Sequence, residues 1–190
     1  MYWCSPAYKK FVCFTTGFIL LVAIQSCSSD APSKVQNVQF FDLKKYFTDE
    51  AGRLTKLNPL ITKTAAHNTI SETDKMRITS WTNELSSFTE SDINKPAWKA
   101  SYTVQSTNDF LIYKAKDPEL KTRDIIIKKD GSSIKWILIF NHTTGLMAKK
   151  VLYEMVEKLS YFPDSLYLIQ KTQRVRLMGT NTYNIRGEFK

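Results

Sequence analysis

Cysteine has the widest chemistry of any residue in this chain, because a thiolate can act as a nucleophile, bind a metal or accept a lipid. The sequence contains three cysteines, Cys4, Cys13 and Cys27, and none after Cys27. The chain beyond Cys27 can therefore form neither an internal disulfide nor a thiolate metal site. This excludes the class of small secreted domains that disulfides hold together.

The two histidines, His67 and His142, are the other candidates for metal or acid–base chemistry. Zinc needs three or four clustered ligands, and the sequence has no HExxH or CxxC spacing, so no metal ligand is predicted. It also has no GxSxG nucleophile motif, GxGxxG motif or P-loop, so we assign no catalytic residue and no cofactor. Acidic residues are scattered along the chain, so acid–base catalysis by carboxylates, as in a hydrolase, stays open as an alternative. We favour a non-enzymatic protein.

The first 26 residues have the composition of a secretory signal peptide. They contain Lys9 and Lys10 and no acidic residue, and Phe11–Ile24 is an uncharged, mainly apolar run. A membrane-spanning helix needs about 20 apolar residues, so this run is short for a permanent anchor. A basic start, an apolar middle and small residues behind it predict a signal peptide over residues 1–26.

The sequence Ile24-Gln25-Ser26-Cys27 resembles the lipobox of bacterial lipoproteins. The resemblance implies cleavage before Cys27 and attachment of lipid to its sulfur, so that Cys27 anchors the chain to a membrane. Two or three acyl chains give stable anchoring. Ser28 is not the aspartate that retains lipoproteins at the inner membrane of enteric bacteria, which favours an outer-membrane anchor facing the periplasm.

Residues 27–38 are predicted to be a flexible tether, because Ser28 to Ser33 are small, polar and interrupted by Pro32. Residues 39–190 are predicted to form one domain.

The chain is basic, with a formal charge of +9. The last 20 residues contain one acidic residue, Glu188, and five basic residues: Lys171, Arg174, Arg176, Arg186 and Lys190. Such a surface suits anionic lipid or an acidic partner, although an ordinary solvated sheet face is the simpler interpretation. Nucleic acid is excluded as a partner if the signal peptide directs export.

Helical spacing dominates the first part of the domain. The stripe Phe40, Leu43, Phe47, Leu54 and Leu57 predicts a helix from Asp42 to Leu57, capped by Asp42 and stopped by Asn58-Pro59. A polar hairpin is predicted next, with strands over 60–66 and 70–78. A second helix follows, capped by Ser80, with Trp81, Leu85 and Phe88 on one face.

From residue 100 the apolar period becomes two, which indicates strands. We expect Asp130-Gly131 to form a hairpin turn, Thr143-Thr144-Gly145 to turn the chain, and Phe162–Ser165 to form another turn. Leu146–Leu159 fits a strand or a helix, and the strand is favoured. The predicted strands are 100–106, 110–116, 122–129, 133–140, 146–159, 166–174 and 182–189.

These elements predict an α+β fold, in which two N-terminal helices pack on an antiparallel meander sheet of five to seven strands. Strong curvature would give a half-barrel, similar in architecture alone to periplasmic lipoprotein carriers and receptors. The stripe Leu43, Phe47 and Leu54 should pack on alternate sheet residues such as Ile125, Ile127, Trp136 and Leu138.

Two further resemblances concern Bacteroidota. Asp164-Ser165-Leu166 resembles the Asp-Ser/Thr-aliphatic motif that is O-glycosylated there, which makes Ser165 a candidate glycosylation site. A group of Bacteroidota lipoproteins without an assigned activity is resembled by five short sequences: Leu57–Pro59, Asp92–Trp98, Phe162–Tyr167, Val175-Arg176 and Gly179–Tyr183. The resemblance implies a location and no mechanism.

We therefore expect a non-enzymatic lipoprotein, anchored to the outer membrane, with a structural or protein-interaction role in the cell envelope. The alternative is a carrier or receptor that binds a lipid or other apolar ligand in a sheet-lined cavity. The many aromatic residues fit a packed core and also fit such a cavity, and the core is favoured.

Overall fold

The computed structural model describes residues 39–147 and 150–190. The predicted signal peptide (1–26) and the whole of the predicted tether (27–38), which includes Cys27, lie outside the described residues. The elements, in chain order, are α1 (Leu43–Leu57), β1 (Ile61–His67), β2 (Ile70–Met76), α2 (Trp81–Glu84), α3 (Ser86–Thr89), a 3-10 turn (Pro96–Trp98), β3 (Tyr102–Ser106), β4 (Phe110–Ala115), β5 (Thr122–Asp130), β6 (Ser133–Met147), β7 (Lys150–Phe162), β8 (Leu166–Val175) and β9 (Gly179–Phe189).

Helix α1 begins and ends where its sequence predicts. The Asp42 carboxylate accepts a hydrogen bond from the Lys45 backbone N–H at 2.7 Å, and Asn58 closes the helix in the left-handed conformation. Leu43, Phe47 and Leu54 are fully buried, as expected of the stripe. Leu57 does not belong to it, since 59% of its surface is exposed at the last turn.

The second predicted helix is interrupted. Ser80 accepts a hydrogen bond from the Asn83 N–H, as a cap should, but the chain changes conformation at Leu85 and forms two short helices, α2 and α3. Trp81, Leu85 and Phe88 are nonetheless all buried. The hydrophobic pattern therefore identified the packing face correctly even though the helix is not continuous.

The nine strands formed by the described residues belong to one antiparallel sheet, in the order β2-β1-β9-β8-β7-β6-β5-β4-β3. The α+β class and the antiparallel sheet are confirmed, and the expectation of five to seven strands is too low. The predicted polar hairpin, β1–β2, does not stand apart but extends the sheet, with Ile61 opposite Phe189 and His67 opposite Tyr183. This pairing joins strands that are distant in sequence, which hydrophobic periodicity does not reveal.

Strand β6 runs through the predicted turn at Thr143-Thr144-Gly145. Thr143 pairs with Met155 and Gly145 with Tyr153, and a register shift follows Gly145. Threonine is β-branched and suits a strand, so the Thr-Thr-Gly sequence continues β6 and does not end it. The region 146–159, which was ambiguous, contributes the end of β6 and most of β7, and contains no helix among the described residues.

The hairpin between β5 and β6 lies one residue later than predicted. Asp130 pairs with Ser133, so the two turn residues are Gly131 and Ser132. Gly131 has a φ of +61° whereas Ser132 does not have a positive φ, which is the pattern of a type II′ turn with glycine at its first central position.

The helices pack on one face of the sheet, which we call the covered face. Ile125 pairs with Ile139 and Ile127 with Ile137, and all four are buried there. Because side chains alternate along a strand, Trp136 and Leu138 point to the opposite, open face, and the expectation that they contact α1 is wrong. Phe47 fills the centre of the covered face, with ring centroids 4.7 Å from Phe88 and 5.2 Å from Tyr161.

Candidate functional site

An open cleft of about 420 Å³ lies on the covered face, where the end of α2 and the start of α3 lie beside strands β8 and β9. Its floor comes from two neighbouring strands in register, since Ile169 pairs with Ile185 and Lys171 with Tyr183. Its wall comes from the short helices and is polar. The lining residues are Asn83, Glu84, Ser86, Ser87, Ile169, Lys171, Tyr183 and Ile185.

A buried carboxylate, Glu157, lies beside this cleft and is only 2% exposed. It accepts hydrogen bonds from Asn141 Nδ2 at 2.9 Å and from Ser87 Oγ at 3.3 Å. Lys171 Nζ lies 3.1 Å from its Oε1 and neutralises it. These partners offset the desolvation of the carboxylate and tie strands β6, β7 and β8 to helix α3.

Asn141 has one polar atom without a partner among the described residues. Its Nδ2 also donates to Ser91 Oγ at 2.8 Å, whereas its buried Oδ1 accepts no hydrogen bond. A buried unsatisfied acceptor is costly, and an internal water is the simplest group that would satisfy it.

A second carboxylate, Glu84, forms the wall of the cleft and docks α2 on the sheet. Tyr167 donates its hydroxyl to Glu84 at 2.7 Å, and Lys63 Nζ lies 2.8 Å from the same carboxylate. Burial is the main cause that raises the pKa of Tyr167, and the hydrogen bond to Glu84 adds to it. The tyrosine therefore stays protonated and acts as a hydrogen-bond donor.

A third carboxylate, Glu50, docks α1 in the same way. Tyr161 donates to Glu50, and Arg53 holds that carboxylate through Nε at 2.8 Å and Nη2 at 2.6 Å. Arg53 also reaches Asp164 at 2.6 Å, in the turn between β7 and β8. Burial raises the pKa of Tyr161, and the hydrogen bond to Glu50 raises it further.

This arrangement is suited to binding and docking. Each of the three carboxylates is paired with a cation, and the tyrosines beside two of them are held protonated, so none of these groups is placed as a general base. Among residues 39–147 and 150–190, no group of three or more His, Cys, Asp or Glu side chains could hold a metal ion.

The residues that the sequence marked for their chemistry, His67, His142 and Ser165, do not lie together in one site. His67 stacks on Tyr183 with ring centroids 4.5 Å apart, whereas His142 lies on the open face with its Nε2 3.1 Å from Glu154. Ser165 is exposed in the turn after β7, where its backbone groups bond to Phe162 and Phe189. Cys27 lies outside the described residues.

The basic residues near the chain end are also dispersed. Lys171 pairs with Glu157 beside the cleft, and Arg186 pairs with Glu188 on the open face. Arg174 and Arg176 are exposed near the β8–β9 turn. Sequence reasoning grouped these residues by proximity along the chain, and alternation along the strands separates them onto two faces.

Sequence reasoning missed the cleft and the three docking carboxylates. Glu50, Glu84 and Glu157 are separated in sequence and have no spacing that marks them. The only available signal was that Glu50 falls between Phe47 and Leu54 on the buried side of α1.

No helix formed by the described residues is long and apolar enough to cross a membrane. No protein-family model, curated protein or solved structure matches the chain.

Proposed function

We propose that this protein is a lipoprotein of the bacterial outer membrane, anchored through lipid on Cys27, whose domain has a structural or protein-interaction role in the periplasm. The lipobox-like sequence Ile24–Cys27 and the basic, apolar segment before it support the anchor. The described residues of the domain, 39–147 and 150–190, form one hydrophobic core cluster among themselves.

The main support for a role other than that of a carrier is that core side chains fill the covered face of the sheet. A carrier for an acyl chain would need an apolar cavity between helices and sheet. Leu43, Phe47, Leu54, Trp81 and Phe88 occupy that space and are at most 1% exposed. The remaining cleft is open, and its helical wall is polar.

Replacement of the anchor cysteine tests the location. Cys27→Ser should abolish metabolic labelling with a fatty acid and move the protein from the membrane fraction to the soluble fraction. Cys13→Ser is the matched control, because Cys13 lies inside the apolar run of the predicted signal peptide and should be removed with it. If the Cys27→Ser protein keeps residues 1–26 and stays in the membrane, an uncleaved signal anchor replaces the lipoprotein proposal.

Native mass spectrometry of the protein purified from its source tests the role. We expect the lipidated polypeptide mass without a further bound molecule. A second species, heavier by a constant small-molecule mass that denaturation removes, would reject the non-carrier role.

The observation that favours the alternative, a carrier or receptor for an apolar ligand, is the floor of the cleft, which is lined by Ile169, Ile185 and Tyr183. Ser86→Trp would fill the cleft from its wall, whereas Thr82→Trp adds the same ring to an exposed residue that does not line it. If a fatty acid raises the melting temperature of wild type and Thr82→Trp but not of Ser86→Trp, the carrier becomes the better proposal.

We also propose Ser165 as a site of O-glycosylation, which its exposure in a turn supports. The intact mass of protein from its source should fall to the polypeptide mass in Ser165→Ala and stay unchanged in Ser132→Ala, which alters an exposed serine of another turn. A wild-type mass without a glycan would refute the assignment.

A further inference from the structure

The turn between β8 and β9 carries the two most exposed large apolar side chains of the described residues. Leu177 is 88% exposed and Met178 is 82% exposed. The turn is ordered by a hydrogen bond from the Met178 N–H to the Val175 carbonyl and by Gly179, whose φ is +89°. Single exposed apolar residues are common on proteins, but two adjacent ones at the tip of a hairpin form a projecting apolar point.

Two arginines flank this point, and their side chains face solvent. Arg174 precedes the turn and Arg176 lies in it, and neither forms an ion pair with any other described residue. With Thr144, Leu152 and Glu154 they line a hollow of about 310 Å³ on the open face. Among the described residues that line the hollow, Glu154 is the only acid, and its carboxylate lies 3.1 Å from His142 Nε2. The guanidinium groups are therefore free to bind an anion from outside.

The wider charge of the domain acts in the same direction. Residues 1–38 contain only Lys9, Lys10, Lys34 and Asp30 as charged residues, so the domain that follows holds most of the formal charge of +9. A net positive domain is attracted to an anionic surface over about a Debye length, which orients approach before contact.

The described chain begins at the end of the sheet from which this turn projects. Gln39 Nε2 donates to the Lys99 carbonyl at 3.0 Å, just before β3. β3 begins at Tyr102, opposite Ala115 at the end of β4 and near the start of β5. Thr122 pairs with Asn141, Asn141 with Glu157, and Glu157 with Lys171, so the start of β5 lies level with Lys171 in β8. Because β8 continues from Lys171 to Val175 in the same direction, the β8–β9 turn projects from this end of the sheet.

The length of the predicted tether limits how far this end of the sheet would lie from a membrane that holds Cys27. Twelve residue positions separate Cys27 from Gln39. An extended chain spans at most about 3.6 Å per residue, so the tether reaches at most about 43 Å. A lipid on Cys27 would hold the membrane within that distance of the end of the sheet that carries the turn.

We propose that the β8–β9 turn is a membrane-contact element, in which Leu177 and Met178 enter the interface of an anionic bilayer while Arg174 and Arg176 bind the headgroup phosphates. In such an interface, apolar side chains contact the acyl chains while the flanking cations contact the anionic headgroups. Two apolar side chains offer far less area than a stable protein–protein interface needs, which favours a lipid surface over an acidic protein. The contact would orient the tethered domain, and it does not require the lipid on Cys27.

Vesicle co-sedimentation of the non-lipidated chain, Cys27→Ser from residue 27 to Lys190, tests this contact separately from the anchor. This chain retains every residue of the core cluster that the structure describes, from Phe40 to Ile169. We expect binding to vesicles of phosphatidylcholine with phosphatidylglycerol, at least tenfold weaker binding to phosphatidylcholine alone, and loss of binding between about 0.1 M and 1 M salt.

Paired variants separate the apolar and the basic parts. Leu177→Ser with Met178→Ser should weaken binding at least tenfold, and Arg174→Gln or Arg176→Gln about fivefold each. Lys56→Gln with Leu57→Ser is the matched control, because it removes one exposed cation and one exposed apolar residue at the opposite end of the domain. Unchanged melting temperatures verify that all variants fold.

Three results would overturn the proposal. Wild type could fail to bind the anionic vesicles, or it could bind neutral and anionic vesicles equally. The control could also lose as much affinity as the variants of the turn. Any of these is independent of whether Cys27 carries lipid.

Discussion

Tyr161 and Tyr167 lie directly opposite each other on strands β7 and β8, and each donates its hydroxyl to a glutamate on a different helix. Tyr161 bonds to Glu50 on α1, and Tyr167 bonds to Glu84 on α2. Each glutamate is neutralised in turn, by Arg53 and by Lys63. One cross-strand pair of the sheet therefore fixes the position of two helices through two similar polar contacts.

Removing one of these hydroxyls should destabilise the domain without leaving a large cavity. Tyr161→Phe deletes a hydrogen bond to a buried, charged acceptor, which costs about 1.5–3 kcal/mol. Urea denaturation should show this loss for Tyr161→Phe and a similar one for Tyr167→Phe. Tyr183→Phe, at a tyrosine that is 40% exposed, should change the free energy of unfolding by about 0.5 kcal/mol or less. Equal stability of Tyr161→Phe and wild type would show that the contact with Glu50 is weak.

A partly buried tyrosine also makes the domain sensitive to alkaline pH. Burial is the main cause that raises the pKa of Tyr46 to about 12 from the usual 10.0, and the Glu50 charge adds to it. Between about pH 10 and 12 the unfolded chain releases the Tyr46 proton while the folded chain keeps it, so stability falls as pH rises.

Tyr46→Phe has no phenol to ionise and should lose less stability over that range. The free energy of unfolding, measured in urea from about pH 8 to about pH 12, should therefore fall less steeply for Tyr46→Phe than for wild type. Tyr183→Phe serves as the reference for removing an exposed phenol. Parallel curves for wild type and Tyr46→Phe would contradict the assigned environment of Tyr46.

Gly187 leaves the space that Tyr167 occupies. The two residues pair across β8 and β9, and a Cβ atom at position 187 would overlap the Tyr167 ring. Gly187→Ala must displace the ring from the Glu84 contact or shift the strand, and we expect a loss of about 1–3 kcal/mol. Gly52→Ala is the control, because no described heavy atom outside its chain neighbours and the nearby backbone of its own helix lies within 4 Å of the added methyl group, and alanine favours the helix by about 0.5–1 kcal/mol. Thermal melts should thus move in opposite directions for the two alanine variants, and a neutral Gly187→Ala would mean that the ring repacks freely.

The sequence predicts the local features of this fold well, because their causes are local. Asp42 and Asn58 bound α1 through their own side-chain and backbone preferences, and Gly131 marks a hairpin to within one residue. The position of β1 beside β9 depends on contacts between distant residues and has no local signal. A one-residue error in phase was enough to assign Trp136 and Leu138 to the wrong face, since alternate side chains point in opposite directions.

The candidate site was less predictable than the fold. Glu157 is polar and lies in a strand that reads as amphipathic, so its burial becomes evident only when Asn141, Ser87 and Lys171 are seen around it. The exposure of Leu177 could have been suspected from its place between Arg176 and Gly179 in a short connection. Hydrophobic residues are expected inside proteins, and the pattern alone gave no reason to place this one at a tip.

Phe47 distinguishes a packed domain from a carrier, because its ring occupies the space that an acyl chain would need. It is fully buried against Phe88 and Tyr161, so Phe47→Ala should remove about 3–5 kcal/mol, a large share of the 5–15 kcal/mol that typically holds a domain together. Leu57→Ala, at an exposed residue of the same helix, should cost about 0.5 kcal/mol or less. Thermal melts with and without a long-chain fatty acid measure both quantities. We expect a large loss for Phe47→Ala and no effect of the fatty acid on wild type. A small loss together with stabilisation of wild type alone by the fatty acid would mean that Phe47 lines a binding cavity, and the carrier would then replace the structural role.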